Sequence, residues 1–507
     1  MKNKILLVLS CFLLFGCTSS KITIVQSDKN YVYYEIFVGS FYDTNGDGLG
    51  DINGVTEKLN YIQSMGIGGL WLMPIMPSPT YHKYDVTNYY DIDPKYGTLD
   101  DFTKLVSRAT SMDIDIIIDL VVNHTSVNHP WFVEAKKNIL NGTCDLPESY
   151  CDYYNFTKEA KSGYSALGKG YFYEARFWSG MPDLNLESEN VKNELKQIIS
   201  FWLNKGVKGF RLDAVTSFFT GDVEKNRLFL SWLSQSIKEI KSDAYIVGEA
   251  WTTDDTIMSL YGSEIDSLFH FQFSQPEGKI ASSIRNSAGS ELATTVVSYL
   301  NNARIANPDV IDAIFLSNHD QGRSAAYFSE KDLYKSKLMA SIYLLMPGRS
   351  FIYYGEEISL RGSGKDENKR LPMIWDIKDK TGQTIGPSGA DYVWVYKAGV
   401  AQAIVDSNSL LSHYRRVISI KNSYDLITEG TVEALDVGSE IYAVKSSSAT
   451  ESIIVIHNLS ETKKTLEYDF SDYKIADQIY NYKQSPAKIS GGKLSVGAYN
   501  SVVLMLK

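Results

Sequence analysis

The chain has 507 residues, 44% of them hydrophobic and 22% charged, with a formal net charge of -10. That length supports a large core and more than one domain. An acidic balance with no basic cluster argues against nucleic acid as a partner, and 34 Tyr with 8 Trp would suit sugar stacking or ordinary packing alike.

Lys2 and Lys4 precede the apolar run "ILLVLSCFLLFGC", too short for a stable membrane helix and typical of a secretory signal peptide. Leu14-Phe15-Gly16-Cys17 resembles a bacterial lipobox, with Phe15 where a small residue is usual. Residues 1–17 are therefore expected to be a lipoprotein signal peptide, with Cys17 carrying lipid and residues 18–29 forming a polar tether. The expected location is the membrane or cell surface through a lipid anchor, or the medium if the lipobox is not used.

The first strand-like run, "YVYYEIFVGSF" (31–41), leads into "DTNGDGLGD" (43–51). Asp43, Asn45, Asp47 and Asp51 stand at alternate positions, with Gly48 for a tight turn and Leu49 offering its carbonyl. These are the first nine positions of an EF-hand-type loop, and hard oxygen donors at that spacing suit Ca2+. Gly54 stands where the closing glutamate would be, so water would complete the shell.

Further apolar runs follow at 66–75, 113–124, 209–215, 244–251, 266–273, 312–320 and 349–357, with amphipathic helical patterns between most of them. Eight such strands alternating with helices predict a closed (β/α)8 TIM barrel. Residues 125–182 read as a subdomain inserted after strand three. They contain Cys144 and Cys151, the pair that remains after export, expected to form a disulfide; a metal pair is the alternative, without nearby Cys or His to complete it. The barrel spans 30–423, and short alternating segments over 424–507 predict a C-terminal antiparallel β-sandwich.

"GFRLDAV" (209–215) places Arg211 and Asp213 on one face of an apolar strand. Two charges there serve either as a structural ion pair or as a carboxylate kept ionised for chemistry. Active groups of such barrels sit at the carboxyl ends of the strands. Those ends carry Asp119, Asn123 and His124 on strand three, Glu249 on strand five, and His319 and Asp320 on strand seven. Three acids from three strands at one rim favour chemistry.

"DLVVNH", "GFRLDAV", "GEAW" and "LSNHD", in this order, resemble the four signature regions of the α-amylase family of glycoside hydrolases (family 13), and "MPDLN" (181–185) and "GGLWLMPI" resemble two further family segments. The resemblance runs from about residue 31 to the C-terminus. It implies Asp213 as nucleophile, Glu249 as general acid and base, and Asp320 as the acid that grips sugar hydroxyls. Arg211 would keep Asp213 ionised, His124 and His319 would donate to the same sugar, and Trp251 would line the site and help raise Glu249. "YHKYDV" resembles the family's His-Gly-Tyr-Asp segment, implying that Tyr84 stacks beneath the sugar with His82 beside it; Lys83 replaces the glycine. Family members with the 43–51 loop carry a metal there, and a second calcium site would use Asn123 and Asp183.

"MPDLN" is similar to the subgroup between oligo-1,6-glucosidases and neopullulanases, which includes secreted and lipid-anchored α-amylases. Ala214 is the small residue that the family associates with α-1,4 bonds, whereas Thr216-Ser217 replace the Lys-His of many α-amylases. The expected activity is retaining endo-hydrolysis of α-1,4-glucosidic bonds in an α-glucan, by a monomer. The alternatives are an exo-acting α-glucosidase or maltogenic enzyme, a non-catalytic glycan-binding relative, which typically loses acids that are present here, and a metal-dependent barrel hydrolase. Ser350 stands where the family usually has proline, a change expected to be neutral.

Overall fold

The structure, a computed structural model, describes residues 24–507 except Asp28. The signal peptide, Cys17 and most of the tether lie outside the described residues and remain expectations of the sequence. Among the described residues no helix is long and apolar enough to cross a membrane.

Eight parallel strands form the barrel: Val32–Ile36, Gly69–Leu72, Asp115–Leu120, Gly209–Leu212, Tyr245–Gly248, Ser267–Leu268, Ala313–Phe315 and Arg349–Tyr353. The eighth pairs with the first, Val32 opposite Ser350, and a parallel bridge between Phe269 and Ala313 links the sixth to the seventh. The strands are shorter than the apolar runs that announced them, because each run continues into the loop that carries the chemistry.

Side chains alternate across each strand, so one set fills the lumen and the other meets the helices. Tyr33, Trp71, Ile117, Tyr245, Phe315 and Phe351 belong to a buried lumen cluster. Gly69 makes room for this filling, since a Cβ there would lie 2.4 Å from the Tyr33 ring. One step of two residues further along the same faces stand Glu35 after Tyr33, Asp119 after Ile117, and Glu249 after Val247. The aromatic floor and the acidic mouth are thus consecutive layers of one pattern.

The helix Ile52–Ser64 begins at Asp51, whose carboxylate accepts from the Gly54 N–H at 2.7 Å. The insert after strand three holds the helix Pro130–Asn141 and a small antiparallel sheet of Phe156–Thr157, Tyr164–Gly168 and Tyr171–Glu174. Cys144 and Cys151 form a disulfide within it. Beyond the barrel, a five-stranded antiparallel sheet (Thr431–Ala434, Ile441–Ser447, Ser452–Asn458, Tyr473–Ile479, Ser501–Leu506) faces a three-stranded one across its own core.

Ser350 has a partner that the sequence did not reveal. The Lys421 ammonium, fully buried, donates to its hydroxyl at 3.2 Å and to the Met346 carbonyl at 3.0 Å. Burial pushes Lys421 down to about 7. A proline at 350 would remove one of these acceptors.

Candidate active site

Arg211 is the hub of the mouth. Its side chain is buried, and Nη1 donates to Asp119 Oδ1 at 2.5 Å and to Asp213 Oδ1 at 2.6 Å. Nη2 lies 3.0 Å from Glu249 Oε2. One guanidinium therefore holds three carboxylates from three neighbouring strands. The chain turns sharply after Asp213: Ala214 adopts φ 49°, a left-handed backbone that costs a non-glycine residue roughly 1–2 kcal/mol. That turn aims the Ala214 N–H at Glu249 Oε2, 3.0 Å away. Strain at this point serves to fix the second acid.

Burial pushes Glu249 up to about 7, with Asp213 and Asp320 adding to the rise and Arg211 opposing it. Trp251 is half exposed, and its ring stacks on Phe271 with centroids 4.7 Å apart. The largest push on Glu249 is its burial. Asp320 is in the opposite state. Burial disfavours its charge, but His319, Arg370 and Arg211 outweigh burial and hold it well below the usual carboxylate range. Two acids at one mouth are thus driven apart, one toward the protonated form and one toward the ionised form.

His319 links the two sides. Its Nδ1 is 2.6 Å from Glu35 Oε1, and its Nε2 is 2.7 Å from the Tyr84 hydroxyl and 3.1 Å from Asp320 Oδ2. Burial lowers His319, but Asp320 and Glu35 raise it to about 10. Tyr84 lies flat against this imidazole, centroids 5.6 Å apart at 18°. His82 Nδ1 accepts from the Tyr84 N–H at 3.1 Å. Lys83 between them keeps a left-handed φ of 66°, so the turn survives the loss of glycine. Its buried ammonium reaches Asp93 Oδ2 at 2.5 Å, which anchors the segment from below. His124 is buried beside Phe177, with Nε2 unpartnered and its charged form disfavoured by burial.

Asp213, Glu249, Asp320, Arg211, His319 and Tyr84 form one connected network. Glu35, Trp71, Tyr81, Asp366 and Arg370 were not singled out from the sequence. Trp71 Nε1 donates to Asp119 at 2.9 Å, and Arg370 donates to Asp320 at 3.3 Å and to the Tyr81 hydroxyl at 2.9 Å. Arg370 is also ion-paired to Asp366. Glu35 had a signal, an acid on the lumen face of an apolar strand, like Arg211. Arg370 sits in an irregular segment without one.

The 43–51 loop is folded around its own side chains. Asp43 accepts from the backbone N–H groups of Asn45, Gly46 and Gly48 at 2.7–3.0 Å, and Asp47 from that of Leu49 at 2.8 Å. Asp51 is committed to the helix N-terminus and to Thr44. Among the described residues no group of three or more His, Cys, Asp or Glu side chains is arranged to hold a metal ion on its own. A cation here would therefore draw on the Asn45 amide, the Leu49 carbonyl and water as well, an all-oxygen set that fits calcium. Asn123 Nδ2 lies 3.4 Å from Asp183 Oδ1, and burial, with Glu174, raises Asp183 to about 7.

A parallel barrel whose mouth holds one acid pushed toward its protonated form and another kept ionised has the groups that glycoside hydrolysis needs. Residues 35–430 match the family model for the alpha amylase catalytic domain, and residues 441–503 that for the alpha-amylase SusG C-terminal domain. The chain belongs to the α-amylase family, glycoside hydrolase family 13. It is 38% identical to Alpha-amylase 3 of Dictyoglomus thermophilum over 94% of this chain and 93% of that one. It is 30% identical to the trehalose-6-phosphate hydrolase of Bacillus subtilis, over 86% and 90%. Among solved structures, Eubacterium rectale Amy13B superposes with a TM-score of 0.91 at 38% identity, covering 96% of this chain and 98% of that one. An alpha-amylase from H. orenii gives 0.83 at 34% identity, covering 94% and 100%.

Proposed function

We propose that the protein is a retaining endo-acting α-amylase, hydrolysing α-1,4-glucosidic bonds in starch, glycogen and maltooligosaccharides. The observation that carries this is the pairing of Asp213 and Glu249 on one guanidinium, with Glu249 raised to about 7. Bridging by one group favours the short carboxyl separation of retaining enzymes, roughly 5–5.5 Å, over the wider inverting one.

In the first step Asp213 attacks the anomeric carbon while Glu249 gives its proton to the glycosidic oxygen, and the reducing-side sugar leaves. The glycosyl-enzyme ester then meets a water whose proton returns to Glu249, and Asp213 departs as carboxylate. Asp320, held ionised, grips sugar hydroxyls and strengthens its hold as positive charge develops on the ring. Tyr84 forms the floor, His124 and His82 donate to the sugar, and Trp251 offers an exposed ring face at the mouth. His319, expected to donate to the same sugar, has both ring nitrogens taken by Glu35, Asp320 and Tyr84 and acts by holding Asp320 in place.

The 38% identity to a protein named as an α-amylase supports the α-1,4 reading. Thr216-Ser217, together with relatives named as oligo-1,6-glucosidases at 29% identity, favours the second reading, an exo-acting α-glucosidase or maltogenic enzyme. Product analysis on soluble starch separates them. Early mixtures of oligosaccharides are expected, and glucose or maltose alone from the first minutes would sink the endo reading.

Calcium in the 43–51 loop, and a second ion at Asn123 and Asp183, belong to the same proposal in a structural role. Such an ion supplies a charge that draws the loop's oxygens together and binds only the folded chain. EDTA should lower the melting temperature, and Asp47→Ala should weaken that dependence. Identical melting curves with and without EDTA would exclude it.

A further inference from the structure

We propose that a groove on the inserted subdomain is an accessory binding site for a neutral α-glucan chain, with Trp178 as its sugar platform. This rests on the α-glucan reading above. The groove encloses about 730 Å³ and is lined by Phe132, Val133, Leu140, Tyr173 and Trp178, with Asn128 and Lys136 among its polar residues. Half of the Trp178 surface is exposed (50%).

The ring lies over Gly180. A Cβ at Gly180 would fall 2.2 Å from the Trp178 indole, so a larger residue there would push the ring out of this position. The loop beneath it is pinned by the Tyr173 hydroxyl donating to the Ser179 carbonyl at 2.6 Å and the Val127 N–H donating to the Gly180 carbonyl at 3.0 Å. A flat, half-exposed indole matches the C–H face of a pyranose, whose hydroxyls point outward toward polar groups at the edges. The charged residues of the lining are Lys136 and Lys137, whose ammonium groups can donate to sugar hydroxyls.

Its position identifies the occupant. Phe177, the neighbour of Trp178 in the chain, packs on His124 with ring centroids 5.1 Å apart, and His124 presents its unpartnered Nε2 beside the catalytic network. Two consecutive aromatic residues therefore serve the cleft and the groove in turn. A glucan too long for the cleft can leave it over Phe177 and rest on Trp178, whereas a trisaccharide cannot span both.

The test measures long and short substrates side by side. In the hydrolysis-dead Asp213→Asn background, retardation in native gels containing amylopectin should weaken about fivefold on adding Trp178→Ala, and mostly persist with Trp178→Phe. In the active enzyme, Trp178→Ala should raise KM for soluble starch about fivefold and leave kcat/KM for p-nitrophenyl maltotrioside unchanged. Unaltered retardation and starch KM would overturn the proposal while hydrolysis of both substrates stands. A change in oligomeric state by light scattering, without a change in glucan retention, would also overturn it by making the groove a contact between copies. An unsubstituted enzyme inert toward every α-glucan would remove the reading on which it rests.

Discussion

Asp213→Asn and Glu249→Gln should each lower kcat on starch by at least about a thousandfold with little change in melting temperature. The two losses differ in kind. A starch leaving group is a poor one and needs the proton of Glu249, whereas p-nitrophenolate departs without it. Glu249→Gln should therefore still release a burst of p-nitrophenolate and then stall, because the variant lacks the base that activates water. The stalled species carries a glycosyl group on Asp213, detectable as added mass on the peptide containing it. Asp213→Asn has no nucleophile and should show no burst.

The same pair fixes a pH dependence. Glu249 must be protonated in the free enzyme, and burial places its midpoint at about 7. kcat/KM should accordingly fall as pH rises through about 7, and the burst of Glu249→Gln should lack that limb. Equal losses on starch and on the aryl glycoside, or an alkaline limb that survives in Glu249→Gln, would remove Glu249 from the acid role.

The barrel was legible because its eight apolar runs are separated by helical patterns, and apolar periodicity is what burial imposes on a sequence. The central charged groups were legible for a related reason: Asp119, Arg211 and Glu249 continue the lumen face of their strands by a step of two. The other half of the mouth was not. Glu35 meets His319 across 284 residues, and Arg370 reaches Asp320 from a segment with no regular pattern. Closure of the barrel creates those contacts, and no local spacing encodes them. Lys83 is the reverse case. It stands where the family segment has glycine, but the long side chain found Asp93, and a left-handed backbone was kept at an ordinary residue.

Arg211→Met should have the largest effect on stability. It leaves Asp119, Asp213 and Glu249 facing one another without the cation that joins them, and breaking a buried ion network in this way costs about 3–5 kcal/mol. The loss should depend on pH with a definite sign. Burial already raises Asp119 to about 6 and Glu249 to about 7 with Arg211 present, and removing the guanidinium removes what opposes that rise. The unfolded chain binds these protons only near pH 4. Between those values the folded variant holds more protons than the unfolded one, so its stability falls as pH rises and recovers as pH drops. The gap in melting temperature between Arg211→Met and the unsubstituted protein should be wide at pH 8 and narrow at pH 5, as calorimetry would record. A gap of equal size at both values would mean that lost packing around the side chain, and not the uncompensated carboxylates, destabilises the mouth.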